Sequence, residues 1–285
     1  MSERILIVGA TGQLGLALRR QLDLDQRSAV ALGPHDLDLT AFDVGDRIAG
    51  LEPTAVINAA AWTDVRAAEQ ATNRQLVWEV NCHGPRRLAE CCAELGVPLV
   101  HVSTDYVFDG QADQPYKEDA PTGPLQAYGM SKLDGEREVL RVYPESLIAR
   151  TSTVYGDRPE GPPHYVDAIL AQAREHGALE VVRPPVSSPS YTVDIAAGLI
   201  HLLDAQARGV VHVVNDGAAS RLELAAEAVR LAGFDFEVGE RAAPPDDLER
   251  PDYSVLDTSR YRELTGRSMR PWQDALRDYV CGLDG

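Results

Sequence analysis

The sequence predicts an α/β protein, a doubly wound parallel sheet followed by a smaller C-terminal lobe, and three observations carry that prediction. Short β-branched runs alternate with helix-period patterns through the first half, as βαβ units require. A glycine-rich turn, Gly9 to Gly15, separates the first apolar run from the first amphipathic one. After Gly156 the pattern changes, with proline and glycine crowding 158–163 and again 183–189.

The elements follow in order. Residues 5–8 (Ile-Leu-Ile-Val) read as a strand, and 12–22 as a helix whose Leu14, Leu18 and Leu22 form one stripe. Strands follow at 29–32, 55–59 and 98–103. A long helix is expected over 72–95, with Val77, Val80, Gly84, Leu88 and Cys91 on its inner face. Residues 109–124, rich in Asp, Pro and Gly, read as a surface loop before a helix over 125–142 and a strand over 147–150. Beyond 155 the pattern gives short helices and strands, including 210–214 and 255–256. The expected division is 1–154 for the nucleotide-binding domain and 155–285 for the smaller lobe, with elements of the lobe free to return to the main sheet.

Composition narrows the function. The chain has 285 residues, 27 basic and 44 acidic, for a formal net charge of −17. No basic stripe exists to release counterions, so nucleic acid and anionic membranes are not expected partners. No apolar stretch approaches a bilayer-spanning length, and the N-terminal run is too short for a signal peptide, so a cytoplasmic protein is expected. The cysteines (Cys82, Cys91, Cys92, Cys281) form no CxxC pair, and the seven histidines show no metal-ligand spacing. No metal site is expected. The long helices are compatible with a homodimer.

Gly9-Ala-Thr-Gly-Gln-Leu-Gly15 follows the first strand and opens the first helix. Its backbone N–H groups and the helix N-terminus can hold a pyrophosphate, and glycines permit both the turn and the close approach. The protein is therefore expected to have a Rossmann-like fold.

Tyr128-Gly-Met-Ser-Lys132 sets a phenol and an ammonium four residues apart, on one helix face. With ten tyrosines and two lysines, chance would supply such a pair about 0.07 times. A fixed cation favours the phenolate, which suits Tyr128 to acid–base work. Upstream, Ser103-Thr104-Asp105 ends a parallel strand, where open α/β sheets bind ligands, and a hydroxyl there can hydrogen-bond a substrate carbonyl. Asn58-Ala-Ala-Ala61 ends another strand with small side chains that let a cofactor lie close. Asp38, after the second strand, reads as an adenine or ribose contact or as a helix-start cap. Neither a G-x-S-x-G elbow nor a P-loop is present.

The glycine loop, strand-end Thr and YxxxK in this order resemble the extended short-chain dehydrogenase/reductase superfamily. The segments Asn58–Thr63, Ser103–Gly110, Tyr128–Lys132, Arg150–Ser152 with Val154–Gly156, and Val255–Thr258 resemble the dTDP-4-dehydrorhamnose reductase family. This resemblance implies an NADPH- or NADH-dependent oxidoreductase that reduces the 4-keto group of a nucleotide-linked, dTDP-type 4-keto-6-deoxyhexose for deoxysugar biosynthesis. It implies Thr104, Tyr128 and Lys132 as the catalytic triad. It places Gly9, Thr11, Gly12, Gln13, Leu14, Gly15, Asp38, Leu39, Ala59, Ala60, Ala61 and Lys132 at the cofactor. Thr104, Asp105, Tyr128, Thr153 and Arg250 would meet the sugar nucleotide. Thr153 stands where the family usually has tryptophan, which removes apolar contact area. The family's Gly-Ser-Pro-Thr-Tyr is Ser187-Ser-Pro-Ser-Tyr191 here, and Tyr253 replaces an asparagine. Gly33 stands where a carboxylate would bind the ribose diol, so its absence favours NADPH over NADH, with His35 the nearest candidate for a 2′-phosphate. The alternatives are an epimerase or dehydratase of the same superfamily, a reductase of another keto-sugar, and a non-catalytic NADP-binding regulatory subunit.

Overall fold

The computed structural model describes residues 3–157, 163–244 and 247–283. The proline- and glycine-rich residues 158–162 lie outside that range.

The first half winds as the alternation dictates: β1 (Ile5–Val8), α1 (Gln13–Leu24), β2 (Ala29–Leu32), α2 (Val44–Gly50), β3 (Ala55–Asn58) and the short α3 (Val65–Ala68). Next come α4 (Arg74–Trp78), α5 (Gly84–Leu95), β4 (Leu99–Thr104), α6 (Ala127–Val142), β5 (Leu147–Thr151) and β6 (Val154–Tyr155). In the second half α7 (Tyr165–His176), α8 (Thr192–Asp204), α9 (Arg221–Leu231), α10 (Ser259–Thr265) and α11 (Trp272–Gly282) are interleaved with short strands. These strands are β7 (Glu180–Val181), β8 (Val186–Ser187), β9 (Ser190–Tyr191), β10 (Gly209–His212), β11 (Ala219–Ser220) and β12 (Gly239–Glu240).

Six strands form one parallel sheet in the order β10-β5-β4-β3-β1-β2. The chain steps from β1 outward to β2, then crosses back to β3 on the other side, so the winding reverses between β1 and β3. That reversal opens a crevice at the carboxyl ends of the strands. Because both faces are covered, the strands are apolar throughout: Ile5, Ile7 and Val100 pack toward α1 and α8, and Leu6, Val8 and Ile148 toward α2, α5 and α6.

The structure departs from the expected elements in two places, the long helix and 255–256, and at 210–214 takes the return to the main sheet that the sequence left open. The long helix is not uniform, because a π turn (Glu79–His83) joins α4 to α5. The extra residue lets Asn81 turn inward, where its Oδ1 accepts from the Trp62 N–H (2.8 Å) and its Nδ2 donates to Ser131 Oγ (3.0 Å). The run at 210–214 leaves the lobe and joins the main sheet as β10, carried back by α8, whose Ile195, Leu199, Ile200 and Leu202 are all buried. The run at 255–256 forms no strand; Leu256 makes an isolated bridge to Tyr116.

The rest of the second half has its own apolar clusters, built from α7, α9 and α11 around Val166, Leu224, Trp272 and Tyr279. Among the described residues no helix is long and apolar enough to cross a membrane.

Candidate active site

A cavity of about 860 Å³ opens at the carboxyl ends of β1, β3, β4 and β5, as the winding reversal requires. Gly9, Thr11, Gly12, Gln13 and Leu14 line one end, with Gly33, His35, Asp38 and Leu39 beside them. Ala59, Ala60 and Ala61 form the floor, and Ser103, Thr104, Asp105, Tyr128, Lys132 and Thr153 surround the other end.

The glycine turn is shaped by contact. Gly9 has φ +82°, and a Cβ there would lie 2.6 Å from the Ala60 nitrogen, so the ends of β1 and β3 touch. Gly15 is not at the wall but behind it, where a Cβ would meet the Gly9 carbonyl oxygen at 2.2 Å; its role is to let α1 pack on the turn. Gly12 caps α1 with no side-chain hydrogen bond, and the first turn holds no acid. The helix N-terminus thus offers free N–H groups and a positive dipole end to the cavity. Asp38 lines the wall while its Oδ1 accepts from both the N–H and the hydroxyl of Thr40 (each 2.8 Å), which holds its pKa below the ordinary carboxylate value and keeps it ionised.

At the opposite end, β4 delivers Thr104 and α6 delivers Tyr128 and Lys132. Thr104 Oγ1 donates to Asp105 Oδ1 (3.0 Å), and Tyr128 lines the same part of the cavity. Tyr106 meets the Tyr128 ring edge-on, centroids 6.0 Å apart. Burial pushes the Tyr128 phenol above its ordinary value, and the same burial pushes Lys132 down to about 8. The lowering of the phenol expected from Lys132 is not found: burial sets the direction, because a dry site disfavours both charged forms. Lys132 Nζ donates to the Val102 carbonyl (2.7 Å) and lies 3.4 Å from His101 Nε2.

Asp105 does not extend a free carboxylate to a ligand. Its Oδ2 accepts from Ser152 Oγ (2.7 Å) and Ser254 Oγ (2.6 Å), so three hydroxyls enclose a side chain that is 2% exposed. Burial raises its pKa and the three hydroxyls oppose the rise. Ser254 reaches it across 149 positions of sequence, which ties the C-terminal segment to the end of β4.

Thr153 lines the cavity at φ +41°, unusual for a β-branched residue, with its hydroxyl 2.7 Å from Ser187 Oγ. Arg250 stands off the cavity wall. It donates to Asp247 Oδ1 (3.3 Å), and burial foremost, with the Arg250 charge next, lowers the pKa of Arg221. Arg221 and Ser254 are absent from the sequence-derived site. The isolated polar letters of short segments carry no signal of this convergence. Asn58 and His101 were open to notice, as polar residues inside strands whose neighbours are apolar.

The chain matches the family model described as the RmlD substrate binding domain over residues 3–284. It is 37% identical to dTDP-4-dehydrorhamnose reductase of Streptomyces griseus, covering 99% of this chain and 95% of the relative. The chain belongs to the dTDP-4-dehydrorhamnose reductase family. A crystal structure of the family from Clostridium acetobutylicum superposes with a TM-score of 0.92 at 34% identity, covering 99% of this chain and 100% of the other. Another, from Bacillus anthracis in complex with NADP, superposes with a TM-score of 0.92 at 29% identity over the same shares.

The residues fit the nicotinamide dinucleotide of such a reductase. The uncapped N-terminus of α1, the Cβ-free approach at Gly9 and the alanine floor of 59–61 together form a cradle for a pyrophosphate and two ribosides. At the adenosine end, Gly33 leaves the end of β2 without a side chain, and Asp36 Oδ2 accepts the Gly33 N–H (2.9 Å).

Proposed function

We propose that this chain reduces the 4-keto group of a dTDP-linked 4-keto-6-deoxyhexose with NADPH or NADH. The carrying observation is the convergence of Thr104, Tyr128 and Lys132 at one end of a cavity whose other end is the glycine cradle. The bound cofactor would supply the hydride.

The chain's own residues would handle orientation and the proton. Gly9 to Leu14 would hold the pyrophosphate, Asp38 and His35 would flank the adenosine, and Lys132 would hold the nicotinamide ribose. Thr104 has one proton, and Asp105 accepts it in this arrangement. The threonine would therefore accept a hydrogen bond from Tyr128 until a ketone oxygen arrives and takes the phenolic proton instead. A phenol held protonated by burial is a competent acid for a developing alkoxide, because the alkoxide is the stronger base. Exclusion of water on the side of Tyr106 would strengthen these contacts.

The second half, 155–285, would receive the nucleotide portion. Arg221 and Arg250, mutually repelling and only partly offset by Asp247, are a natural counterpart to a diphosphate. Gly33 itself bears no carboxylate, which would leave room for NADPH, while the Asp36 carboxylate on the Gly33 N–H keeps NADH open as the cofactor.

The test follows loss of reduced-nicotinamide absorbance with dTDP-4-keto-6-deoxyglucose, an excess of 3,5-epimerase and each cofactor. Tyr128→Phe is expected to lower kcat by about 10³-fold while cofactor affinity stays within about twofold. Undiminished turnover would sink the assignment. No turnover by the parent protein, with cofactor bound tightly, would favour the regulatory-subunit reading.

A further inference from the structure

The sheet face packed on α5 and α6 is apolar along Leu6, Val8, Val56, Leu99 and Ile148, and two polar side chains interrupt it. Asn58 on β3 and His101 on β4 are neighbours in the parallel register, 1% and 0% exposed. Such groups persist in a dry layer only when their polar atoms find partners, and here the partners form a single line.

The line starts at the backbone. The Ala60 N–H donates to Asn58 Oδ1 (3.1 Å), which fixes the orientation of the amide. Asn58 Nδ2 lies 3.0 Å from His101 Nδ1. An amide nitrogen only donates, so Nδ1 must accept, and the neutral ring then carries its proton on Nε2. Nε2 faces Lys132 Nζ at 3.4 Å. Burial and the lysine keep His101 far below the ordinary imidazole range, so the ring stays neutral. An ammonium has no lone pair to receive a ring N–H, whereas the free amine has one.

We propose that His101 is a positioning residue of the reductase, presenting to Lys132 an Nε2–H imposed from the backbone through Asn58 and so favouring the free amine. The proposal rests on the reading of Lys132 as the cationic partner of Tyr128 and the nicotinamide ribose. Other groups face the lysine. Glu136, one turn along α6, favours the ammonium, but its carboxylate is held by Arg150 of β5 (2.7 and 2.9 Å). Asp105, beyond the end of β4, is enclosed by three hydroxyls. Tyr128 stands one turn back, and the helix beside α6 contributes the uncharged Asn81, bonded to Ser131. Burial prevails over Glu136, in the same direction as the ring N–H. The alkaline limit of the reaction is thus set by a sheet residue that need not touch cofactor or substrate.

Two measurements on the full chain decide the matter. Long-range ¹H–¹⁵N correlation spectra of the protein without cofactor report histidine tautomers, with His101 assigned by its loss in His101→Leu or by its change in Asn58→Asp. The native ring is expected as Nε2–H and the Asn58→Asp ring as Nδ1–H, because a carboxylate accepts from Nδ1. A native Nδ1–H overturns the proposal. The pH profile of kcat is the second arm: in His101→Leu the alkaline limb is expected to move up by roughly one unit, a tenfold change in proton affinity. A histidine that merely fills space would lower kcat or stability with the limb in place, and that result also overturns it. Ile148→Val, in the same layer, controls for altered packing. Where His101→Leu does not fold, Asn58→Asp carries both arms, since its ring lone pair would receive the ammonium and move the limb the same way. Lys132→Met separates the underlying reading: undiminished turnover in that variant refutes the lysine's role, while the tautomer arm still judges the histidine.

Discussion

Arg150 and Glu136 illustrate how a single residue position binds sheet to helix. Their side chains are 4% and 3% exposed and meet through two parallel N–H to carboxylate bonds. Arg150 also donates to the Glu118 carbonyl (3.2 Å) and lies over the Phe108 ring. Removing one partner of such a pair leaves a buried charge without compensation. Glu136→Gln is expected to destabilise the fold by roughly 3–5 kcal/mol, read from the urea midpoint at unchanged slope. A loss under 1 kcal/mol would mean that water reaches the pair. This ion pair was not legible in the sequence, since neither letter is unusual and their meeting depends on the register of α6 against β5.

The elements around the site are held at closer range than propensity alone requires. Gly135 lies inside α6, where alanine would raise helix propensity by about 1 kcal/mol. A Cβ at that position would stand 2.1 Å from the Asn81 carbonyl oxygen of the π turn. Gly135→Ala is therefore expected to lower stability, by about 1–3 kcal/mol, and to reduce turnover by displacing Tyr128 and Lys132 from the end of β4. A thermal melt gives the sign, and a rise in Tm would contradict the close approach. The π turn itself escaped the sequence reading, because one inserted residue leaves the apolar period at Val77, Leu88 and Cys91 nearly intact. What selects it is the demand of Asn81 for Trp62 and Ser131, partners distant in sequence.

For the whole molecule, three described histidines have lowered pKa values, and the two fully buried ones, His212 and His101, weigh most on the acid limit, with the half-buried His201 a smaller addition. His212 is buried against the Phe108 ring edge and accepts no proton until about pH 3, and His101 is also displaced well downward. The unfolded chain protonates both near pH 6.5. Their neutral forms thus contribute stability that is complete above about pH 6.5 and is lost as pH falls toward the folded values, at about 1.4 kcal/mol per unit for each ring. The buried acids Asp105 and Glu118, shifted upward, work in the opposite sense and favour the fold only at low pH. Urea unfolding between pH 7 and 5 is expected to show stability falling with a slope approaching two protons. His212→Gln is expected to halve the slope; an unchanged slope would assign the acid sensitivity elsewhere.

The sequence by itself determined the winding, the glycine cradle, the strand-end threonine and the YxxxK pair. Each of these is local: a period of two or 3.6, a turn that needs glycine, or a spacing of four on one helix face. It also determined the family, through motifs that keep their order along nearly the whole chain. Tertiary structure alone decided where Gly209–His212 would pair, because so short a run around Val210 and Val211 is equally at home in a lobe or a sheet. It decided that Asp105 would be enclosed by Ser152 and Ser254, and that His101 would meet the Asn58 amide on one side and Lys132 on the other. These outcomes depend on which distant atoms share a dry space, and dryness is a property of the assembled layers.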